Sequence, residues 1–341
     1  MKRNRTLCLF AALAVIAGIA AAAPDGLIAF DRNDSVFKVM PDGTGERCLA
    51  AGDSVWGFEF PAWSHDGSLL AFSGTLSRAG HNPNPSSDLG LCPKPESCPE
   101  PLVIFESGIW VAGADGSNRR RVCVYATDTT FHDHSLSRLV WSADGARLGF
   151  VVSSDREGEP GIRDESCYVV RLSDSTPVGI PASDFDAIFG PRLREESPDG
   201  RFRLEARELD SVDELFAVPV LRGPAKRLTH TRPLRPAEEI EMWGGGPIVG
   251  EWSPDGQRVV FIPLMTSGDY PYGSLFWVGA DGRHQTRLGT GSLPLEDPPL
   301  AWSPSGTSLA WEEDGRIRVT DFVHVARTVA AGYNPSWACS R

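Results

Sequence analysis

Residues 250–263 read GEWSPDGQRVVFIP: a tryptophan at the end of a short apolar stretch, a Ser-Pro-Asp-Gly turn, then an apolar strand. Asp and Gly at the centre of a four-residue turn suit it physically. Asp bonds nearby backbone amides, and Gly adopts positive φ without steric cost. The pattern recurs at 61–74 (PAWSHDGSLLAFSG), 139–152 (LVWSADGARLGFVV), 195–208 (EESPDGRFRLEARE) and 300–313 (LAWSPSGTSLAWEE). A Ser beside an Asp can be chemistry or punctuation. A catalytic residue is needed once, whereas this pair returns with every unit, so the motif is read as a turn.

Fixed-period self-similarity is the signature of a repeat fold. After each turn and its apolar strand comes a third strand with an aromatic ahead of another turn, as in GIWVAGADG (108–116), SLFWVGADG (274–282) and VFKVMPDG (36–43). A fourth strand follows: NRRRVCV, PAKRLTH or HQTRLGT. Four strands joined by tight turns form an antiparallel meander. Five units start at Trp63, Trp141, Glu196 (where the tryptophan is lost), Trp252 and Trp302. The segment from Gly26 supplies a second, third and fourth strand, and YNPSWACSR at the C-terminus supplies a first. Joined, they complete a sixth unit and remove the open edges that a stack of repeats would leave. The expectation is an all-β, six-bladed β-propeller over 24–341, with four-stranded blades near 26–50 plus 333–340, 60–124, 139–182, 194–230, 248–290 and 299–332.

This W-S-P-D-G repeat resembles the TolB-like, WD-type propeller of bacterial exported proteins, from about residue 26 to 340. The same repeat builds the propeller of prolyl-oligopeptidase-type peptidases. The resemblance implies the fold; propellers host unrelated activities. TolB carries an α/β domain ahead of its propeller, whereas here the first strand follows the N-terminal apolar segment almost at once. Its partners therefore do not carry over. The peptidases need a Gly-x-Ser-x-Gly nucleophile elbow, which this sequence lacks.

Lys2, Arg3 and Arg5 precede an apolar run from Leu7 to Ala23, the pattern of a secretory signal peptide over 1–22, cut after Ala22. An uncleaved anchor is the alternative, although the run is slightly short for a span. Periplasmic or secreted location follows, with no stable membrane insertion after cleavage. Thirty basic residues then face 45 acidic ones, a net charge of −15. Such a surface repels nucleic acid and anionic membranes. Six cysteines remain after cleavage, an even number that favours disulfides in an exported chain. Cys92 and Cys98, in one short loop, are expected to pair; the connectivity of Cys48, Cys123, Cys167 and Cys339 stays open. The spacings match no zinc pattern, and no cofactor is expected.

Strand direction alternates, so first-to-second and third-to-fourth turns share one face, and these are short. The longer connections, within Gly74–Ser107, Tyr125–Arg138, Ser153–Ser166, Thr231–Gly246 and Met265–Gly273, fall on the other face, where function tends to sit. Binding candidates there are His132, Asp133, His134, Arg232, Arg235, Trp243, Asp269, Tyr270 and Tyr272. His132 and His134 flanking Asp133 are either part of a divalent-metal site or ordinary solvated histidines; no third ligand is identifiable. Trp243 beside three glycines is either a contact for peptide or sugar or a packing residue. The tandem Arg119–Arg121 are read as edge protection on an outer strand. The expected activity is binding of a protein or peptide, with a glycan as the other ligand class. The alternative is a metal- or carboxylate-dependent polysaccharide lyase or hydrolase using the same face.

Overall fold

The computed structural model describes residues 26–53, 55–76, 105–128, 135–155, 163–191, 193–209, 212–230, 249–263, 265–267, 270–289, 293–294 and 299–338. The first blade contains β1 (Ile28–Arg32), β2 (Ser35–Val39) and β3 (Arg47–Ala50), and the second β4 (Trp56–Trp63), β5 (Leu69–Leu76), β6 (Phe105–Gly113) and β7 (Arg120–Asp128). The third holds β8 (Ser135–Trp141), β9 (Arg147–Asp155), β10 (Arg163–Arg171) and β11 (Val178–Ile180), followed by the helix α1 (Ala182–Phe189). The fourth has β12 (Phe202–Leu209), β13 (Val212–Pro219) and β14 (Lys226–Arg227). The fifth comprises β15 (Val249–Trp252), β16 (Arg258–Ile262), β19 (Phe276–Gly279) and β20 (Thr286–Arg287). An inserted hairpin, β17 (Met265–Ser267) and β18 (Tyr270–Gly273), separates its second and third strands. After β21 (Leu293–Pro294), the sixth blade runs β22 (Leu300–Trp302), β23 (Leu309–Glu313), β24 (Arg316–Thr320) and β25 (Arg327–Ala331). The last strand, β26 (Tyr333–Trp337), pairs antiparallel with β1, giving the sheet order β26-β1-β2-β3. The fold is an all-β, six-bladed propeller.

Five blades are four-stranded, and the fourth departs from the expected pattern. There the first strand is reduced to a single bridge, Glu196 to Arg203. Glu196 stands where the other units have tryptophan, so this position has no large apolar side chain to bury. The strands of the second and third blades also run further than expected, with β7 ending at Asp128 and β10 starting at Arg163.

The repeated turn has one geometry throughout. Ser253 Oγ donates to Asp255 Oδ1 at 2.5 Å and accepts the Arg258 amide at 3.0 Å, while Asp255 also accepts the Gln257 amide. Gly256 closes the turn at φ 67°. Ser64–Asp66, Ser142–Asp144 and Ser197–Asp199 repeat these bonds, and in the sixth blade Ser305 replaces the Asp. Ser64, Ser142, Ser197, Ser253 and Ser303 are buried and each hydroxyl is engaged by its own turn, so the motif is structural. The same hydroxyls and amides hold the Asp144 and Asp199 carboxyls below the usual range.

Apolar clusters join neighbouring blades. Trp63, Leu70 and Phe58 of the second pack with Ala29 and Val36 of the first, and Ile109 and Val122 pack with Leu148 and Phe150 of the third. Leu204 and Leu215 meet Trp252 and Phe261, Val260 and Ile262 meet Leu309 and Trp311, and Ala310 and Ile317 meet Phe30 and Trp337. Beside the third blade, α1 follows Pro181 and stops at Gly190 (φ 81°), burying Phe185 and setting Phe189 against Gly149. Arg138 of β8 donates to the Gly190 and Pro191 carbonyls and lies over the Phe185 ring. Edge protection is too narrow a reading of Arg119–Arg121. Arg119 donates to the Ala51 carbonyl of the first blade, Arg120 to the Leu172 carbonyl of the third, and Arg121 pairs with Glu106.

Candidate functional site

Backbone bonds between turns identify the two faces. In four blades the third-to-fourth turn donates to the first-to-second turn: Ala114 to Ser68, Leu172 to Ala146, Val220 to Arg201 and Ala280 to Gln257, at 2.9–3.1 Å. On the opposite face β18, from the second-to-third connection of the fifth blade, pairs with β21, from its connection to the sixth. Two kinds of long connection thus meet in one small sheet, β17-β18-β21, where the alternation of strand direction puts them.

Tyr270 and Tyr272 lie on β18, opposite Ser267 and Met265, rather than in the loop expected there. His132, Asp133, His134, Arg232, Arg235, Trp243 and Asp269 lie outside the described residues, as do Cys92, Cys98, Cys339 and the segment 1–22. Cys48 is an exposed thiol, and Cys123 is a buried one pushed up to about 11 by desolvation. Among the described residues no helix is long and apolar enough to cross a membrane, and no group of three His, Cys, Asp or Glu side chains is placed to hold a metal ion.

Sequence reasoning missed an acidic group at the loop-bearing end of the first, second and sixth blades. The first strands β22, β26, β4 and β8 contact one another in succession, which puts them nearest the propeller axis. A bulge in β4 places Phe60 at φ 53° and aims its N–H at Asp31 Oδ2, 2.9 Å away. Asn334 of β26 donates to the same oxygen at 2.8 Å. Asp31 is buried, and desolvation raises its carboxyl above the ordinary value despite these two bonds. Glu59, next to the bulge, is also raised, first by desolvation and then by the Asp31 and Asp34 carboxylates. On the adjoining sixth blade Glu312 accepts the Gly315 amide at 2.6 Å, and Gly315 lies beside the half-exposed Tyr333. Glu312 is raised by desolvation, with Asp314 and Glu313 adding to the shift. Asp31, Asp34, Glu59, Glu312 and Asp314 therefore share one mouth with a tyrosine. These residues are far apart in sequence and outside the repeat motif; contact of β1 with β4 and pairing of β26 with β1 bring them together.

Glu251, on the first strand of the fifth blade, is a further perturbed carboxyl, away from this mouth. Burial pushes it up to about 7, against the opposing effects of Arg194 and Trp302. A carboxyl raised in the folded state stabilises the fold below its unfolded value near 4.5, and that contribution is lost as pH rises through about 7. Glu251 is only half-buried, and solvent screens part of its charge. Glu251→Gln should raise stability at pH 8 by about 2 kcal/mol and leave it nearly unchanged at pH 4. Urea unfolding at the two pH values checks this.

The strand order makes the chain a six-bladed propeller with a repeated Ser-centred turn on one face. No protein-family model matches the chain, and no curated protein sequence matches it. Among solved structures it is similar to TolB from Acinetobacter baumannii (15% identity, TM-score 0.44, covering 92% of this chain and 66% of that one). It is also similar to a putative TolB from Agrobacterium tumefaciens (16%, 0.36, covering 91% and 90%). A third is an oligogalacturonate lyase from Vibrio parahaemolyticus (12%, 0.38, covering 89% and 73%). The chain thus spans just under two thirds of the Acinetobacter protein. The propeller assignment rests on this chain's own strand pairing.

Proposed function

We propose that this chain is an exported propeller, periplasmic or secreted, that binds protein or peptide partners on its loop-bearing face. The observation that carries the reading is the acidic mouth formed by Asp34, Glu59 and Glu312 around the buried Asp31 and beside the exposed Tyr333. Carboxylates around an accessible aromatic suit a polypeptide segment bearing Lys or Arg, because the ring takes the alkyl stem and the carboxylates the charged tip. Electrostatic attraction from an exported chain of net charge −15 would speed encounter with such a segment. The second reading is a metal- or carboxylate-dependent lyase or hydrolase on the same face: its metal form would use His132, Asp133 and His134, which lie outside the described residues, and its carboxylate form the acids of this mouth. The test is affinity capture from envelope extract and culture fluid, with wild type and Glu59→Lys side by side. Polypeptides should be retained by wild type, released by salt, and lost from the variant. Depolymerisation of a polyuronate with appearance of the unsaturated, ultraviolet-absorbing product would support the enzyme instead.

A further inference from the structure

The short-turn face carries two features that the proposed function does not use. The first is a knob on the sixth blade. Where the third-to-fourth turns of the first, second and fifth blades read MPDG or ADG, this one reads DFVHV, residues 321–325. Phe322 takes φ 63°, a costly conformation for a bulky residue, and its ring lies between Trp277 and Trp302 with the Arg258 guanidinium over it. Asp321 Oδ1 accepts the Val323 and His324 amides at 3.0 and 2.8 Å, and Thr320 Oγ1 accepts that of Phe322. The turn is braced on every side, yet Val323 and Val325 are 80% and 94% exposed.

The second feature is a cleft of about 280 Å³ between the fourth and fifth blades, walled by Pro198, Phe202, Ala217 and Trp252. It lies where the reduced first strand of the fourth blade leaves its turn against Gly256. Lys226 lines it, and the hairpin that supplies Lys226 and Ala217 continues into Leu221, 93% exposed. The neighbouring Arg222 makes no hydrogen bond or ion pair among the described residues. Asp199 and Asp255 stand at the same opening.

We propose that this face is the interface of a two-fold homodimer, in which Val323 and Val325 of each copy enter the cleft of the other. A two-fold contact requires each copy to present both halves of the fit, and one face of this chain carries both, with the fifth blade between them. Their charges also correspond. The knob displays the Asp321 carboxylate, bonded to His324 Nδ1 at 2.7 Å, and the cleft is lined by Lys226, with Arg222 on the same hairpin. Such a dimer turns both loop-bearing faces outward, so the assembly binds its partners bivalently.

Sedimentation velocity between about 1 and 100 µM tests this, a range suited to a contact at the small end of specific interfaces. Wild type should pass from monomer to dimer. Leu221→Asp and Val325→Asp, both at fully solvated positions, should keep the wild-type melting curve and weaken dimerisation at least ten-fold. A wild type that stays monomeric throughout overturns the proposal. So does a dimer that both variants leave intact, or a monomer that uses these residues to hold a different polypeptide.

Discussion

Removing residues 333–341 is expected to leave a chain that does not reach the native state. The segment supplies β26, the first strand of the N-terminal blade, with Ile28 opposite Trp337 and Ala29 opposite Ser336. Its loss takes Trp337 from the cluster of Ile28, Phe30 and Val39 and opens the β1 edge. Asp31 loses its Asn334 partner, the Trp63 amide loses Ser336 Oγ, and the Leu27 carbonyl loses the Ala338 amide. Loss of a buried tryptophan alone costs about 3–5 kcal/mol, and each orphaned ladder bond adds about 1 kcal/mol. The sum is comparable with the whole stability of an ordinary fold, about 5–15 kcal/mol. Circular dichroism melting should show no cooperative transition in the shortened chain. A peptide of residues 330–341 added in trans should restore one. A shortened chain that melts like wild type would remove β26 from the account of the fold.

Trp141→Ala has the largest expected effect of any single substitution. The side chain is 2% exposed, and its Nε1 donates at 2.9 Å to the Ala62 carbonyl of the neighbouring blade. Truncation loses the buried ring, leaves a cavity and orphans that carbonyl, at a cost of about 4 kcal/mol. Trp141→Phe keeps most of the apolar volume and loses the bond, so about 1–2 kcal/mol is expected. Urea midpoints for the two variants separate packing from hydrogen bonding. The fourth blade shows a natural counterpart: with Glu196 at this position its first strand is a single bridge.

The repeat made the blades legible because the Ser-x-Asp-Gly turn writes its hydrogen bonds into the sequence. Ser253, Asp255 and Gly256 are each required by the local geometry, and each recurs. The joining of β26 to β1 was legible for the same reason, since the two ends carry complementary parts of one unit. What occurs once left no such mark. The helix α1 rests on Phe185 and Phe189 between a proline and a glycine, too short a pattern to stand out among strands. The hairpin β17–β18 depends on pairing with the distant Leu293–Pro294. The acidic mouth joins Asp31, Glu59 and Glu312, and no spacing rule connects those positions. Arg119–Arg121 were recognisable as an outer-strand feature, but their carbonyl partners at Ala51 and Leu172 belong to other blades.

The central claim is that the repeated turn serves the scaffold and that partners are met on the opposite face. A photo-crosslinking side chain placed at Glu59, on the acidic mouth, and separately at Gln257, beside a Ser-x-Asp-Gly turn, tests it most directly in the native envelope. The account predicts adducts to a heterologous polypeptide from position 59, and from position 257 only adducts to a second copy of the chain. A heterologous partner captured from position 257 and absent from position 59 would contradict it.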